Sequence, residues 1–395
     1  MAFDANSFMP MILPGATLGV MGGGQLGRMW AHAAQRMGYF TAVLDPDPHS
    51  PAGTVSHHHV KTAYNDAAGL SQLALHAQAI TTEFENVPAQ ALADLANQRV
   101  VTAPGSAAVA ICQDRAAEKA HFQSSQVPCA PYQVIESEAQ LRAVSADLLP
   151  GILKTSQMGY DGRGQVRVGS PDELLPAWSV LRQQPCILEK MLPLAFEISV
   201  VMARGGNGHT VHLPVQQNLH RGGILAVTQV PAPEVPQALQ QQAIECAGRL
   251  AESMNYVGVL CVEFFVLQNG ELVANEMAPR PHNSGHYSLD ACDVSQFELQ
   301  VRVMTHLPLV APRLHSPAVM LNLLGDLWFR PNKAEPLTPG WDQVVALPGT
   351  HLHLYGKQDP RPGRKMGHLT VTSATLAQAQ SVARQACGIL NLEPF

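Results

Sequence analysis

The stretch VEFFVLQNGELVANEM, residues 262–277, consists of two strand-like apolar segments separated by a polar turn. The Asn269-Gly270 pair at its centre is typical of a two-residue turn between antiparallel strands. We therefore predict a β-hairpin in which Gln268 pairs with Glu271. Counting outward from that pair sets which residues face one another along both strands.

Two acidic residues of this hairpin, Glu263 and Glu276, are predicted to lie directly opposite each other on one face of the sheet. Like charges placed so closely repel. A cation that prefers oxygen ligands would turn this repulsion into a binding site, and Mg²⁺ is favoured over Zn²⁺ because no Cys or His lies at ligand spacing here. The alternative is a strand at the sheet edge whose carboxylates are simply hydrated.

The composition is that of a folded protein with two or three domains. The chain has 395 residues, of which 46% are hydrophobic and 14% charged, unlike a disordered chain. Its net charge of −6 argues against a dedicated nucleic-acid or anionic-membrane binder, and no apolar run approaches the length of a membrane span.

Seven scattered cysteines favour a reducing cytoplasm. We interpret residues 1–14 as a loosely ordered extension rather than a signal peptide.

Alternating strand and helix signals in the first third of the chain predict a Rossmann-like α/β domain over residues 1–118. Its strands are predicted at 17–21, at a segment ending at 44–45, at 79–82 and at 99–102. Residues 119–307 are richer in strand signals and contain one long helix near 236–254. Residues 308–395 predict a small C-terminal α+β domain.

The first predicted strand ends in the glycine turn GGGQLG, residues 22–27, and Asp45 ends the next strand. This GxGxxG pattern is compatible with dinucleotide binding, because glycines let backbone amides approach a pyrophosphate at a helix N-terminus. Close packing of helix on strand explains the same glycines without any ligand. The pattern alone leaves both interpretations open.

A second glycine-rich loop, GYDGRGQ at residues 159–165, follows Lys154 at the end of a predicted strand. Its amides could wrap phosphates, with Arg163 and Lys154 supplying positive charge. The alternative is an ordinary hairpin turn. A lysine at a strand end beside a glycine lid is more specific than either feature alone.

Three further segments are candidate ligand contacts. Residues 189–192 could offer backbone groups to an adenine edge, and Glu197 could accept from ribose hydroxyls, although any amphipathic strand end could look the same. The polar stretch NEMAPRPHNSGH, residues 275–286, is predicted to be a ligand-binding loop because a core could not satisfy its polar groups. The third segment is a basic cluster that consists of Lys357, Arg361, Arg364 and Lys365. This cluster could hold a substrate phosphate or form a solvated loop.

Two groups of histidines are not predicted to bind metal. His57, His58 and His59 are consecutive and cannot all face one ion from a regular element. His351 and His353 share a strand face but have no acidic companion nearby. We interpret both groups as structural or surface residues.

Five motifs, in order between residues 16 and 372, resemble the N5-carboxyaminoimidazole ribonucleotide synthetase family of the ATP-grasp superfamily. They are GGGQLGRM, TTEFENVP, GYDGRGQ, NEMAPRPHNSGH and RPGRKMGH. The resemblance implies a Rossmann-like pre-ATP-grasp domain, an ATP-grasp domain and a small C-terminal domain. It also implies ATP-dependent carboxylation of 5-aminoimidazole ribonucleotide by bicarbonate, with release of ADP and phosphate, in a homodimer. Because this family uses no nicotinamide, the glycine turn would shape the substrate side of the cleft.

The same resemblance implies a role for individual residues. The implied Mg²⁺ ligands are Glu263 and Glu276. The implied ATP contacts are Arg115, Lys154, Gly159, Tyr160, Asp161, Gly162, Arg163, Gly164, Gln165, Glu189, Lys190, Met191, Leu192, Glu197, His220, Asn275 and Glu276. The implied ribonucleotide contacts are Tyr160, Asp161, Arg163, Arg280, His282, Asn283 and Ser284, with Lys357 and Arg364 on the 5′-phosphate. Asp161, Arg163 and Arg280 are the catalytic candidates.

Three other functions are considered. Another ATP-grasp ligase, such as a formate-using glycinamide ribonucleotide transformylase, would share the facing glutamates and the lid, but HNSGH and RPGRKMGH fit the carboxylating enzyme better. An NAD-dependent oxidoreductase would use the GxGxxG turn, and a nucleotide sensor would bind without turnover. Met158 departs from the family pattern, because a second glycine commonly precedes GYDG, and it is expected to stiffen the entry to the lid.

Overall fold

The N-terminal part of the chain is a parallel sheet with the strand order β3-β2-β1-β4-β5 and helices packed against it. The computed structural model describes residues 10–157, 159, 164–329 and 337–395. The strands are β1 (Thr17–Met21), β2 (Phe40–Leu44), β3 (His58–Val60), β4 (Ala79–Thr82) and β5 (Val101–Thr102). The helices are α1 (Gln25–Arg36), α2 (Ala67–His76), α3 (Ala89–Asn97), α4 (Ser106–Gln113) and α5 (Arg115–Ser124). This agrees with the predicted alternation, since a parallel sheet covered on its faces requires short apolar strands.

Residues 10–14 are not a loose extension. The amide of Ile12 donates to the carbonyl of Thr305 at 3.0 Å, and the hydroxyl of Tyr39 donates to the carbonyl of Ile12 at 2.7 Å. Ile12 itself is buried in the core beside β1. The prediction of a loosely ordered extension is therefore wrong for this segment, and residues 1–9 lie outside the described part.

A small antiparallel sheet follows, with the order β6-β9-β7-β8. Its strands are β6 (Tyr132–Ile135), β7 (Gly151–Thr155), β8 (Gln165–Val168) and β9 (Cys186–Lys190), and its helices are α6 (Glu138–Arg142) and α7 (Leu174–Val180). Lys154 on β7 pairs in register with Gln165 on β8. The segment between these two strands is thus the predicted glycine lid.

The largest sheet is antiparallel and continues into the C-terminal part of the chain, in the order β15-β14-β10-β12-β13-β16-β18-β17 with β11 on β10. Its strands are β10 (Leu194–Arg204), β11 (Thr210–His212), β12 (Gln216–Arg221), β13 (Ile224–Val230), β14 (Gly258–Leu267), β15 (Leu272–Ala278), β16 (Ala318–Leu324), β17 (Thr350–Leu354) and β18 (Lys365–Thr372). The helices are α8 (Gln237–Ser253), α9 (Ser288–Ala291), α10 (Gln296–Met304), α11 (Trp341–Val345) and α12 (Leu376–Leu390). Because β16 pairs with β13, the two parts share one backbone hydrogen-bond network.

Strands β14 and β15 form the predicted hairpin, and Glu263 does pair with Glu276. The turn itself differs from the prediction. The amide of Leu267 donates to the carbonyl of Glu271 at 2.8 Å, which leaves three residues in the loop instead of two. Gly270 adopts a φ of +84°, as the last position of a three-residue hairpin loop requires.

A β-bulge restores the predicted pairing of the glutamates. On the turn side Phe264 pairs with Ala274, whereas one step further along Glu263 pairs with Glu276. Asn275 is the additional residue on β15, as expected for a bulge, in which two residues oppose one. The longer loop and the bulge each shift the register by one residue, and the two shifts cancel at the glutamate pair.

Candidate active site

A cleft of about 850 Å³ lies where the three parts of the chain meet. Most of the predicted contact residues line it, namely Arg115, Lys154, Gly159, Gln165, Glu197, His220, Glu263, Asn275, Glu276, Arg280, His282, Asn283, Lys357 and Arg364. The described candidates that do not line it are Gly164, Glu189, Lys190, Met191, Leu192 and Ser284. Tyr160, Asp161, Gly162 and Arg163, together with Met158, lie outside the described residues.

The facing glutamates differ in their surroundings. Glu263 is 8% exposed, and its Oε1 atom has no hydrogen-bond partner among the described residues. Burial raises the pKa of Glu263, and the carboxylates of Glu276 and Glu197 raise it further while His220 opposes them. Glu276 is more exposed, and its Oε2 atom lies 3.5 Å from Nη1 of Arg115. An unpartnered carboxylate oxygen beside a second carboxylate is a donor set that fits Mg²⁺.

His220 partly balances this acidic group. Its Nδ1 lies 2.5 Å from Oε2 of Glu197. Burial alone lowers the pKa of a histidine, but the hydrogen bond that His220 donates to Glu197 and the charge of Glu263 raise the pKa of His220 to about 9. His220 is therefore positively charged at neutral pH, and can interact with an anionic ligand.

Lys154 is held in the cleft wall by a buried carboxylate. Its Nζ donates to Oε2 of Glu189 at 3.0 Å, and Nζ of Lys119 lies 3.5 Å from Oε1 of the same residue. Burial lowers the pKa of Lys154 and the charge of Glu189 opposes that shift. The side chain of Glu189 thus positions a cation.

In the segment 189–192, which is predicted to contact adenine, two backbone amides form hydrogen bonds within the protein. The amide of Lys190 donates to the carbonyl of Pro131, and the amide of Met191 donates to the carbonyl of Pro150, both at 2.9 Å. These two amides are engaged, so adenine recognition by this segment would depend on its other backbone groups. That role stays a prediction.

Helix α5 contributes residues that sequence reasoning missed. Asp114 caps the helix by accepting from the amides of its first turn, which fixes Arg115 at the cleft. Glu118 and Lys119 follow at the i+3 and i+4 positions, and therefore lie on the same helix face. Glu118 accepts from the amide of Met277 at 2.5 Å, and burial raises the pKa of Glu118 to about 8. The helical spacing of Arg115, Glu118 and Lys119 is the sequence signal that could have identified these residues.

The glycine turn before α1 is occupied by the protein's own carboxylates. Glu83 accepts from the amides of Gly24 at 2.8 Å and Gly27 at 3.0 Å, while Asp45 accepts from the amide of Gly23 at 2.7 Å. A dinucleotide pyrophosphate would need the positions that these carboxylates fill. The geometry contradicts the NAD-dependent alternative. Glu83 belongs to the motif TTEFENVP but was not predicted to be a ligand contact, and it lines the cleft.

Arg280 is anchored across the cleft by Glu85 from the N-terminal part. Its Nε donates to Oε2 of Glu85 at 2.6 Å, and Nη2 lies 2.5 Å from the same oxygen. Burial raises the pKa of Glu85, but the adjacent guanidinium outweighs burial and the net pKa is lowered. The pair is therefore charged and fixes the orientation of the guanidinium.

The loop after Arg280 presents a neutral histidine and an unpaired amide. Burial and the charge of Arg280 lower the pKa of His282 well below its usual range, so its Nε2, 3.7 Å from Oε1 of Glu263, forms no ion pair. Its Nδ1 lies 2.9 Å from Oγ of Ser284, which is fully buried behind it. Both polar side-chain atoms of Asn283 lack partners among the described residues although Asn283 is 6% exposed. An unsatisfied buried amide facing a cleft is suited to bind a polar ligand.

The basic cluster faces the same cleft, with Lys357, Arg361 and Arg364 in the loop between β17 and β18 and Lys365 at the start of β18. Nζ of Lys357 donates to the carbonyl of Lys365 at 2.7 Å, and Nη1 of Arg364 donates to the carbonyl of Asp359 at 2.6 Å. These bonds hold the cationic loop in place. The interpretation as a solvated loop alone does not account for its position at the cleft.

Three family models match the chain in succession. They are the ribonucleotide synthetase preATP-grasp domain over residues 15–113, the ATP-grasp domain over 120–297 and the phosphoribosylaminoimidazole carboxylase C-terminal domain over 318–382. The N5-carboxyaminoimidazole ribonucleotide synthase of Bacillus subtilis is 40% identical over 361 residues, which cover 91% of this chain and 92% of the relative. The chain belongs to the N5-carboxyaminoimidazole ribonucleotide synthase family.

Solved structures of this synthase family have the same fold. The Staphylococcus aureus enzyme complexed with ADP has a TM-score of 0.87 at 35% identity, covering 97% of this chain and 99% of that one. The Aspergillus clavatus synthase in complex with ADP and 5-aminoimidazole ribonucleotide has a TM-score of 0.86 at 30% identity, with 95% and 98% covered. The predicted family, fold class and ligase class are confirmed.

Within this synthase fold the predicted domain boundaries remain predictions. The boundary at residue 118 falls inside α5, and the boundary at 307 follows shortly after α10. Among the described residues no helix combines the length and the apolar character needed to cross a membrane.

One prediction about the histidines is wrong for this member of the synthase family. His351 and His353 do have an acidic companion, because Asp290 lies against both. Nε2 of His353 is 2.9 Å from Oδ2 of Asp290, and Nδ1 of His351 is 3.7 Å from Oδ1. Asp290 is about sixty residues away in the sequence, so strand periodicity could not reveal the contact.

Proposed function

We propose that this chain catalyses the ATP-dependent carboxylation of 5-aminoimidazole ribonucleotide by bicarbonate. The products are N5-carboxyaminoimidazole ribonucleotide, ADP and phosphate, in purine biosynthesis. The observation that carries the proposal is one cleft lined by the facing carboxylates Glu263 and Glu276, by Lys154 and Arg115, and by the anchored guanidinium of Arg280. Relatives bearing this synthase name, and solved members with ADP or with ADP and the ribonucleotide, support it.

Glu263 and Glu276 are proposed to hold Mg²⁺ on the phosphates of ATP. Their pairing across β14 and β15 places two carboxylates on one side of the cleft, and a hard cation would relieve their repulsion. When bound, the ion would offset the charge that accumulates on the phosphoryl oxygens. Arg115, 3.5 Å from Glu276, would then be released toward a phosphate.

The remaining nucleotide contacts are proposed as the family resemblance implies them. Lys154 would approach the phosphates under the lid formed by residues 159–165, with Glu197, His220 and Asn275 nearby in the same cleft. A closed lid would exclude water, which matters because carboxyphosphate hydrolyses readily. The segment 189–192 would border the adenine.

The chemistry divides into two steps. An oxygen of bicarbonate attacks the γ-phosphate of ATP and ADP leaves, which gives carboxyphosphate. The exocyclic amine of the ribonucleotide then attacks the carboxyl carbon, loses a proton and displaces phosphate. The proposed ribonucleotide contacts in the described cleft are Arg280, His282 and Asn283, with Ser284 supporting His282 and with Lys357 and Arg364 on the 5′-phosphate.

Three lid residues outside the described part complete the proposed site. Tyr160 and Arg163 would contact the ribonucleotide, and Asp161 would orient or deprotonate its amine. We expect Asp161→Asn to lower carboxylation by about 10²–10⁴-fold. Full carboxylation activity in that variant, measured as product formed per ADP released, would remove this role.

An ADP-release assay tests the whole proposal. Turnover is measured with and without 5-aminoimidazole ribonucleotide, in bicarbonate-depleted and bicarbonate-supplied buffer. We expect full turnover only when both are present, and formate with glycinamide ribonucleotide should not replace them. Turnover that ignores the ribonucleotide would contradict the assignment.

We also propose that the enzyme is a cytoplasmic homodimer. The dimer is implied by the resemblance, and the location by the scattered cysteines. Light scattering tests the dimer, because the chain mass of 42.4 kDa should appear doubled.

Replacing Lys357 or Arg364 with alanine is expected to weaken ribonucleotide binding selectively. A charge-assisted hydrogen bond to a phosphate contributes roughly 1.5–3 kcal/mol, which corresponds to a rise in KM of about 10–100-fold. The KM for ATP should stay nearly unchanged. Steady-state kinetics with each substrate varied in turn measure both values.

The matched control for this experiment is Arg142→Ala. Arg142 is an exposed cation that pairs with Glu138 on α6, and its loss removes the same charge away from the cleft. An equal rise in both KM values for the loop variants would indicate a disturbed fold and would contradict phosphate binding by this loop.

A further inference from the structure

A second group of ligating side chains lies outside the cleft, between the ATP-grasp and C-terminal parts of the chain. It consists of Asp290, His353 and His368, which we call the Asp290 cluster. His353 on β17 and His368 on β18 are direct cross-strand partners, and their rings stack with centroids 4.4 Å apart at an interplanar angle of 9°. Asp290, from α9, completes the group.

One atom in this cluster has no partner. His368 is fully buried, and its Nδ1 lies 2.9 Å from the hydroxyl of Tyr355. Its Nε2 makes no hydrogen bond within the described part of the chain. An unsatisfied buried polar atom destabilises the folded chain, so its retention calls for a ligand.

We propose that Asp290, His353 and His368 bind a divalent transition metal of the zinc class. One ligand atom from each residue lies within 4.8 Å of the other two, and Nε2 of His353 is 2.9 Å from Oδ2 of Asp290. Two imidazoles and one carboxylate are a donor set typical of Zn²⁺ rather than of Mg²⁺. Ligand atoms around tetrahedral zinc lie about 3.3 Å apart, so the three atoms, now within 4.8 Å of one another, would move closer together on binding.

A third histidine lies beside the cluster. Nδ1 of His351 lies 3.7 Å from Oδ1 of Asp290, and its Nε2 lies 3.1 Å from Oγ1 of Thr372. The site is chemically distinct from the all-oxygen pair Glu263 and Glu276.

The metal would connect two parts of the enzyme. Asp290 belongs to the segment after β15, whereas His353 and His368 belong to the C-terminal strands. The ring of His286, which lines the cleft, lies 4.8 Å from that of His368. A bound ion would therefore stabilise the support of the cleft wall, and it would raise the melting temperature because it binds the folded chain preferentially.

The experiment titrates Zn²⁺ into the chelator-treated full chain in saturating Mg²⁺, which occupies the oxygen site. Calorimetry and the melting temperature measure binding, and X-ray absorption measures the zinc–ligand distances. We expect one tight site, nitrogen ligands at about 2.0–2.1 Å, and an affinity lowered by more than about tenfold in Asp290→Asn and in His353→Gln. Both substitutions preserve side-chain volume, and circular dichroism without metal checks that each variant folds.

The matched control removes the other histidine group, in His57→Ala/His59→Ala. This variant should bind Zn²⁺ as tightly as the unchanged protein. If the unchanged protein takes up no zinc, if zinc raises no melting temperature, or if only the control loses affinity, the Asp290 cluster is not a metal site and the proposal is overturned.

Discussion

Replacing Glu276 with glutamine is expected to reduce magnesium-dependent turnover by about 10²–10³-fold, since a Lewis-acidic ion supplies several kcal/mol of transition-state stabilisation. Glu276 is the more exposed member of the pair and lies 3.5 Å from Arg115, so the neutral amide should be tolerated by the fold. The measurement is ADP release against Mg²⁺ concentration. The midpoint should move to higher Mg²⁺, and the maximal rate should fall.

Glu271→Gln is the matched control, because it removes one carboxylate from the turn of the same hairpin, where Glu271 is exposed. It should leave both the midpoint and the rate unchanged. If Glu276→Gln kept the Mg²⁺ dependence of the unchanged protein, the pair would not be the metal site.

Glu263→Gln should reduce turnover as Glu276→Gln does. It should also change how the stability of the folded protein depends on pH. Burial raises the pKa of Glu263, so the folded protein binds this proton more tightly than the unfolded chain does. The metal-free protein therefore loses stability as the pH rises from the ordinary carboxyl range toward the raised pKa. Glutamine does not ionise, so the variant should become the more stable of the two over that interval. Melting temperatures in chelator between pH 5 and pH 9 measure this crossover.

The facing glutamates were predictable because a strand alternates with a period of two and a glycine turn limits the register. Neither the loop length nor the bulge could be predicted. The bulge at Asn275 depends on how β15 bends against its neighbours, and the local sequence carries no separate signal for it. The prediction of the pair was confirmed because two shifts of one residue happened to cancel.

Local motifs predicted residues that enter the cleft from a loop or a strand end, such as Lys154 and Arg280. Residues whose role depends on a distant partner were missed. Glu83 closes the glycine turn from another strand, and Asp290 joins two histidines of the C-terminal sheet. Glu83 does lie in the motif TTEFENVP, but its partners, like those of Asp290, follow from how the strands are arranged in the fold and are not encoded in a short pattern.

The second large effect is expected at Arg280. Arg280→Ala should lower kcat/KM for the ribonucleotide by about 10²–10³-fold and should destabilise the protein by about 1–3 kcal/mol, because it leaves the partly buried carboxylate of Glu85 without its partner. The guanidinium contacts Glu85 through both Nε and Nη2. Kinetics and the free energy of unfolding would be measured on the same preparation.

A double variant separates these two losses. In Glu85→Gln/Arg280→Met both charges are gone and the side-chain volumes are nearly kept, so no unpaired charge remains and most of the stability should return. Turnover should not return if the guanidinium of Arg280 contacts the substrate, since a folded but neutral cleft wall still lacks the cation. Glu85→Gln alone should have an intermediate effect, because it keeps the guanidinium but removes the carboxylate that orients it. If the double variant regained turnover together with stability, Arg280 would act only through the packing of the two parts of the chain, and its assignment as a catalytic residue would be withdrawn.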